Sequence, residues 1–310
     1  MKRRRIVFLF SIILGIQAKH NTNTIEQGRQ KTPTTLIFGH RGASFDAPEN
    51  TIASIKKAFE IEADGVEIDI HMTKDKKIIV LHDNTLKRTA TYTPQLKNET
   101  GISKKQFEAI VRLPICKLNY SEIKQINIGL WKGKNWPEEK VATLDDILHI
   151  VLFQKKEKMI QIEIKGKNLS IIPELKKILE KYPKKLVSKS VIIIGFDFKI
   201  MCMAKKEIPY CPALLNINLR QAFSIKNIAK IINITIDTGL DGINFEGNPK
   251  LITREIIQEI HKKEKLIGVW FYPEQDTRDN LIYFQELGVD FQTTNLPPEV
   301  VETIKYHKGE

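Results

Sequence analysis

The sequence predicts an α/β protein built on a closed barrel of eight parallel strands. The chain has 310 residues, 42% hydrophobic and 28% charged, which is enough to bury a large core. From Thr34 onward, short apolar runs alternate with segments of helical periodicity over about 260 residues, the size of a (β/α)8 or TIM barrel. The chain has nine strand-like runs, one of which is expected to return as a hairpin, so eight remain for the barrel.

The N-terminal segment has the composition of a secretion signal. Basic residues fill positions 2–5, and an apolar run of 11 residues then ends at Ile16, too short for a membrane helix of about 20 residues. We expect residues 1–18 to be a signal peptide of a secreted or periplasmic protein. A membrane anchor formed by an uncleaved signal is the alternative. Residues 19–33 are polar and aperiodic, and predict a disordered lead-in.

The first strands and the first helix follow from local patterns. An apolar run at residues 36–38 predicts a strand, and residues 51–61 predict a helix behind a capping Asn50. The next strand is Val66–Ile70. Ile78–Leu81 follows it too closely for a parallel crossover, which takes a dozen residues or more, so we expect an antiparallel hairpin.

Residues 84–142 interrupt the alternation of strands and helices. This segment has little periodicity and is too long for an ordinary loop. We therefore expect a barrel over residues 34–306 with an inserted subdomain or lid at its mouth, after the hairpin strand that ends at His82. Trp131 and Trp136 are expected either to pack a small core in this insertion or to line a pocket.

The second half of the chain repeats the strand and helix unit. Thr143 is expected to cap a helix whose first turn is acidic. Further strands are expected at residues 160–165, 191–195, 213–215, 242–245, 266–271 and 289–293.

Two of these strands carry acidic side chains on one face. Because side chains alternate along a strand, Glu67 and Asp69 share a face, as do Glu163 and Lys165, and each strand is aliphatic on the other face. In a barrel the aliphatic face meets the helices, so the polar side chains converge inside. Three carboxylates there cannot all ionise without a cation, and oxygen ligands favour Ca²⁺ or Mg²⁺ over Zn²⁺. A surface salt bridge is the alternative for each carboxylate taken alone.

Two histidines and an arginine follow the ends of neighbouring strands. His40 and Arg41 come directly after the first strand, and His82 ends the hairpin. Two histidines beside a metal can act as general base and general acid, and the forked guanidinium of Arg41 suits phosphate oxygens. The alternative is that both histidines are structural residues of the barrel mouth. A net charge of +12 fits an anionic partner without identifying it.

In their order and spacing these motifs resemble the glycerophosphodiester phosphodiesterase family. The strongest are His40-Arg41-Gly42, Pro48-Glu49-Asn50-Thr51, Glu67-x-Asp69 and Val80-x-His82-Asp83. Weaker matches extend the resemblance from residues 38–88 to about residues 34–300: Glu163-x-Lys165, Phe196, Trp270 and Gly288-Val289-Asp290.

The resemblance implies a TIM-barrel hydrolase that uses a divalent cation, Ca²⁺ or Mg²⁺, to split deacylated phospholipids into sn-glycerol 3-phosphate and an alcohol. Its substrate would be a small molecule rather than a nucleic acid. The implied metal ligands are Glu67, Asp69 and Glu163. The implied catalytic residues are His40 as base, His82 as acid and Arg41, and the implied substrate contacts are Arg41, Lys165, Phe196 and Trp270.

Two positions depart from the family pattern. Asn295 stands where the family commonly has the Asp of Thr-Asp-x-Pro, and a neutral amide cannot supply a carboxylate to orient a histidine. Residues 270–273 read Trp-Phe-Tyr-Pro where Trp-Thr-Val-Asn is frequent, so the alcohol specificity stays open. Two alternatives follow: a secreted barrel with weak catalysis that binds glycerophosphodiesters or lipid headgroups, and a related phospholipase-type phosphodiesterase.

Overall fold

A computed structural model describes residues 35–220 and 225–295 of the chain. The expected signal peptide and the lead-in of residues 19–33 lie outside the described residues. Within the described ranges, no helix combines the length and the apolar composition that crossing a membrane requires.

In the described residues, nine strands form one sheet that closes on itself. They are β1 (Leu36–Gly39), β2 (Gly65–Met72), β3 (Ile78–Val80), β4 (Met159–Ile164), β5 (Val191–Gly195), β6 (Ala213–Ile217), β7 (Gly242–Glu246), β8 (Leu266–Trp270) and β9 (Phe291–Thr294). The strand order is β1-β9-β8-β7-β6-β5-β4-β2-β3, and β1 also pairs with β2. Eight of the strands pair in parallel, while β3 pairs antiparallel to β2. The TIM barrel is therefore confirmed, and its hairpin arm is present as expected.

Helices surround the barrel and connect its strands. The described helices span Ile52–Glu60, Pro94–Thr100, Lys104–Ile110, Tyr120–Ile123, Leu144–Leu152, Ile171–Leu179, Lys184–Ser190, Phe198–Glu207, Ile225–Asp237, Arg254–Lys262 and Arg278–Leu287, and a short 3-10 helix spans Ile115–Lys117. Thr143 caps its helix as expected, in a capping box with Asp146.

Alternation along the strands divides the core between two places. Aliphatic side chains such as Ile68 and Ile162 point outward and are buried beneath the helices. Each such side chain contributes about 1.5–3 kcal/mol when it leaves water. Inside the barrel, the end where the strands begin is filled by apolar side chains, among them Phe38 and Phe291, whose rings meet edge to face at 6.1 Å. The polar inward-facing residues are therefore left at the other end, where the strands finish.

The prediction that Asn50 caps the first helix is wrong. Thr51 is the N-cap, and its hydroxyl oxygen accepts a hydrogen bond from Ser54 N at 3.2 Å. Asn50 has a φ of 57°, so its side chain leaves the helix and exchanges hydrogen bonds with Asp69. Asn50 therefore holds a carboxylate inside the barrel instead of capping the helix.

Residues 84–142 carry short helices and a core of their own. That core joins hairpin residues such as Leu81 to side chains of the insertion such as Phe107 and Ile115. Trp131 is exposed and Trp136 is half-buried, so aliphatic residues and Phe107, rather than tryptophans, fill this core. The insertion therefore packs along the hairpin arm that carries His82.

Candidate active site

A cavity of about 900 Å³ opens at the carboxyl end of the barrel strands. Its wall includes all nine side chains that the family resemblance implies as metal ligands, catalytic residues or substrate contacts: His40, Arg41, Glu67, Asp69, His82, Glu163, Lys165, Phe196 and Trp270. Active sites of TIM barrels lie at this end, because the loops that follow the strands meet there.

The turn after β1 directs its residues into the cavity. His40 N donates to Thr294 O at 2.9 Å, and Arg41 N donates to Glu67 Oε2 at 3.0 Å. Gly42 follows with a φ of 79°, and a Cβ atom there would lie 2.5 Å from Ser54 Oγ. Only glycine fits this close approach to the first helix without strain, so the motif glycine fixes where His40 and Arg41 lie.

Three buried carboxylates form the floor of the cavity. One oxygen each from Glu67, Asp69 and Glu163 lies within 4.8 Å of the others. Burial and the neighbouring carboxylates raise the pKa of Glu67 well above its ordinary value, and burial likewise raises the pKa of Glu163. Burial opposes ionisation of Asp69 too, but Lys165 and Arg41 outweigh it and lower the pKa of that carboxyl.

This donor set fits a divalent cation. Glu67 Oε1 is buried and has no hydrogen-bond partner among the described residues. A divalent cation beside Arg41 and Lys165 would let Glu67 and Glu163 ionise together and would satisfy that oxygen. Carboxylate oxygens are the ligands that Ca²⁺ and Mg²⁺ take. The buried acidic residues could therefore bind a metal ion.

Neighbouring amides and Lys165 hold the carboxylates in place. Lys165 Nζ lies 2.6 Å from Glu163 Oε1 and 3.0 Å from Asp69 Oδ1. Asn50 Nδ2 donates to Asp69 Oδ2 at 2.8 Å, and Asn216 Nδ2 donates to Glu163 Oε2 at 3.1 Å. Sequence reasoning missed both amides. Asn50 could have been found because it belongs to a family motif. Asn216 lies on β6, where the sequence shows no motif that marks it.

His40 is neutral in this setting. Burial, helped by the charge of Arg41, lowers the pKa of His40 to about 3. Its Nδ1 lies 2.9 Å from Asn295 Oδ1, and its Nε2 lies 3.8 Å from Glu67 Oε2. The ring therefore presents Nε2 to the carboxylates.

His82 also lines the cavity and is half-buried. Burial lowers its pKa, although Asp69 and Asp83 act in the opposite direction. Its Nδ1 lies 2.7 Å from Asp83 Oδ1. Arg88 donates to Asp83 and also to Glu49, which in turn accepts from Arg41 at 3.0 Å. Arg88 was also missed, although it lies only a few residues after the His82 motif.

Aromatic side chains form one wall of the cavity. Trp270 contacts Phe196 with ring centroids 5.7 Å apart and Tyr272 with centroids 5.1 Å apart, both edge to face. Phe196 is 46% exposed, so its ring faces the open part of the cavity. The polar floor is thus bordered by an aromatic wall.

A sequence model of the glycerophosphoryl diester phosphodiesterase family matches residues 40–297, more than half of the chain. The chain belongs to this family. Its relatives include a glycerophosphodiester phosphodiesterase of Caldanaerobacter subterraneus subsp. tengcongensis, 31% identical over 177 residues that cover 57% of this chain and 64% of that protein. YqiK of Bacillus subtilis is 30% identical over 274 residues, 87% of this chain and 99% of that protein.

Solved structures of this family share the barrel. A phosphodiesterase of Oleispira antarctica, solved in complex with the product sn-glycerol-3-phosphate, has a TM-score of 0.68 and 19% identity, and the match covers 88% of this chain and 97% of that one. At 19% identity this similarity shows that the two proteins share a fold. Family, barrel and enzyme class therefore agree with what the motifs predicted.

Proposed function

We propose that this protein is a metal-dependent glycerophosphodiester phosphodiesterase that releases sn-glycerol 3-phosphate and an alcohol. The observation that carries the proposal is the composition of one cavity, which gathers three buried carboxylates, two histidines of lowered pKa and the cations Arg41 and Lys165. Family membership and the names of the relatives support the same activity.

Glu67, Asp69 and Glu163 would hold one divalent cation, Ca²⁺ or Mg²⁺. When bound, the cation would supply positive charge against the negative charge that develops on the phosphate. Lys165 already lies between Asp69 and Glu163, so its ammonium group would remain beside the same phosphate. Arg41, whose guanidinium also lies beside Asp69, would bind the phosphate oxygens through its planar fork of N–H donors.

The two histidines would divide the proton transfers. His40 is neutral and its Nε2 faces the carboxylates, so it would accept the proton of the attacking hydroxyl, either the glycerol 2-hydroxyl or a water. In its protonated form His82 would donate the proton on Nε2 to the departing alcohol, while Asp83 would accept the hydrogen bond from Nδ1 and hold the ring. Phe196 and Trp270 would pack against the carbon chain of the substrate and exclude water from that side.

Residues 1–18 would direct this enzyme to the secretory pathway, because their basic start and short apolar run suit a cleaved signal. Sequencing the N-terminus of protein recovered outside the cytoplasm tests this part of the proposal. An intact Met1 there would contradict cleavage and favour an anchored form.

The activity is tested with purified protein and a panel of glycerophosphodiesters that carry choline, ethanolamine or inositol, measuring release of glycerol 3-phosphate. Chelation should abolish turnover, and Ca²⁺ or Mg²⁺ should restore it. Glu163→Gln should weaken metal binding in calorimetry, because it removes a charged ligand. Glu246→Gln is the matched control, since this buried carboxylate accepts main-chain hydrogen bonds from Leu219 and Arg220 and lies outside the acidic cluster.

Full turnover in excess chelator would contradict the metal assignment. Tight binding of a diester without turnover of any member of the panel would contradict the enzymatic proposal and favour a binding module instead.

A further inference from the structure

A buried carboxylate lies directly behind the amide that faces His40. Asp276 belongs to the loop after β8, Asn295 follows β9, and pairing of the two strands brings these residues together. Asp276 Oδ2 accepts hydrogen bonds from Asn295 N at 2.7 Å and Asn295 Nδ2 at 3.1 Å. Its Oδ1 accepts from the Thr294 hydroxyl at 2.6 Å. Asp276 is only 7% exposed, and both of its carboxylate oxygens accept hydrogen bonds from protein donors.

These hydrogen bonds decide which way the Asn295 amide points. A carboxylate can only accept, so the NH₂ group of Asn295 must face Asp276 and the amide oxygen must face the other way. That oxygen accepts from the Ser44 hydroxyl at 2.8 Å and lies 2.9 Å from His40 Nδ1. Asp276 therefore determines where the amide oxygen of Asn295 points, although it makes no contact with that oxygen.

The orientation of the amide sets the proton position on His40. The oxygen of Asn295 can only accept, so a neutral His40 must carry its proton on Nδ1 and keep the lone pair on Nε2. A reversed amide would turn its NH₂ group toward Nδ1 and require the lone pair there. The proton would then sit on Nε2, and the nitrogen that faces Glu67 could no longer accept one.

We propose that Asp276 is a positioning residue that fixes the tautomer of His40 through the Asn295 amide. The carboxylate that Asn295 cannot supply itself is present one side chain further from the histidine. The consequence for turnover rests on the proposed function, in which His40 is the base, whereas the tautomer can be measured without any activity.

The test is a long-range ¹H–¹⁵N correlation spectrum of ¹⁵N-histidine-labelled protein at neutral pH with saturating Ca²⁺. Comparison with His40→Gln assigns the His40 signals. The wild type should show Nδ1 protonated, and Asp276→Ala should shift His40 toward the tautomer protonated on Nε2. In the same variant kcat should fall about 10- to 100-fold, part of the 10²–10⁴ that a general base contributes, with KM little changed.

Two further variants separate this role from a merely structural one. Asp276→Asn keeps an oxygen that can accept from Asn295, so it should retain the wild-type tautomer. Ser44→Ala removes the other hydrogen bond to the same amide oxygen and leaves the anchored NH₂ group in place, so it should also retain the tautomer.

A wild-type spectrum with His40 protonated on Nε2 would overturn the inference by itself, whether or not Asp276→Ala folds. An unchanged tautomer in Asp276→Ala, or an equal loss in Asp276→Asn and Asp276→Ala, would overturn it too. If no diester is turned over, the proposed function fails while the spectra still decide the role of Asp276.

Discussion

Replacement of Arg88 by Met should slow the enzyme although Arg88 lies outside the cavity wall. Arg88 donates two hydrogen bonds of 2.7 Å to Glu49 and two of 2.8 and 3.1 Å to Asp83. Asp83 holds His82, and Glu49 accepts from Arg41. One guanidinium thus fixes the carboxylates behind both the proposed acid and a proposed phosphate contact.

The size of the effect follows from the exposure of Arg88. Hydrogen bonds to charged groups contribute about 1.5–3 kcal/mol each when buried, but the Arg88 side chain is 40% exposed, so solvent screening lowers this. We take about 1 kcal/mol for each of the two carboxylates. Losing both should raise the activation free energy by about 2 kcal/mol, which corresponds to a fall of roughly 30-fold in kcat.

The assay is steady-state release of glycerol 3-phosphate by Arg88→Met, with the midpoint of thermal unfolding measured in parallel. Arg112→Met is the matched control, because this exposed arginine lies in the same insertion. Arg88→Lys should recover only part of the rate, since an ammonium group cannot form the paired hydrogen bonds of a guanidinium. Equal rates for Arg88→Met and Arg112→Met would refute the reasoning.

Two further predictions concern histidines. The turnover rate of His82→Ala should fall about 10²–10⁴-fold on an alkyl diester and recover much of this loss on an aryl diester, whose alcohol leaves without a proton. His40→Ala should stay impaired on both substrates. The reverse pattern would exchange the roles of the two histidines. The hydrogen bond of 3.1 Å from His261 to Asp290 raises the pKa of His261, so its stabilisation is present below the unfolded pKa of about 6.5 and is lost as the pH rises through the folded pKa. The free energy of unfolding of the wild type should exceed that of His261→Gln in urea titrations at about pH 5.5 and approach it at about pH 9, and a difference independent of pH would contradict this.

The barrel could be predicted because its signals are local. In β2 and β4 the carboxylates alternate with isoleucines, and this period of two fixes both the strand and the face that points inward. The ends of strands are harder to predict where residues of a turn are buried like those of a strand. Val289 is buried like a strand residue, yet β9 begins only at Phe291, because the chain is still leaving the preceding helix through Gly288 at a φ of 80°.

The residues that hold the site could not be predicted in the same way. Asn295 lies 255 positions from His40 and meets it only because β1 pairs with β9. Asp276 carries no motif, and its role depends on which way the Asn295 amide turns. Sequence comparison with the family pattern marked Asn295 as a loss of charge, whereas the structure supplies a carboxylate from another loop.

The charge balance of the cavity links the proposed cation to an anionic substrate. Its charged wall residues are Arg41, Lys132 and Lys165 on one side of the balance and Glu67, Asp69, Glu163 and Asp276 on the other. Without a cation, Glu67 and Glu163 do not ionise together, so with the histidines neutral three positive and three negative charges give 3 − 3 = 0. A neutral cavity does not attract a phosphodiester, which carries one negative charge. A divalent cation would let all four carboxylates ionise and would change the balance to 3 − 4 + 2 = +1, which is why binding of the diester should strengthen once the cation is bound.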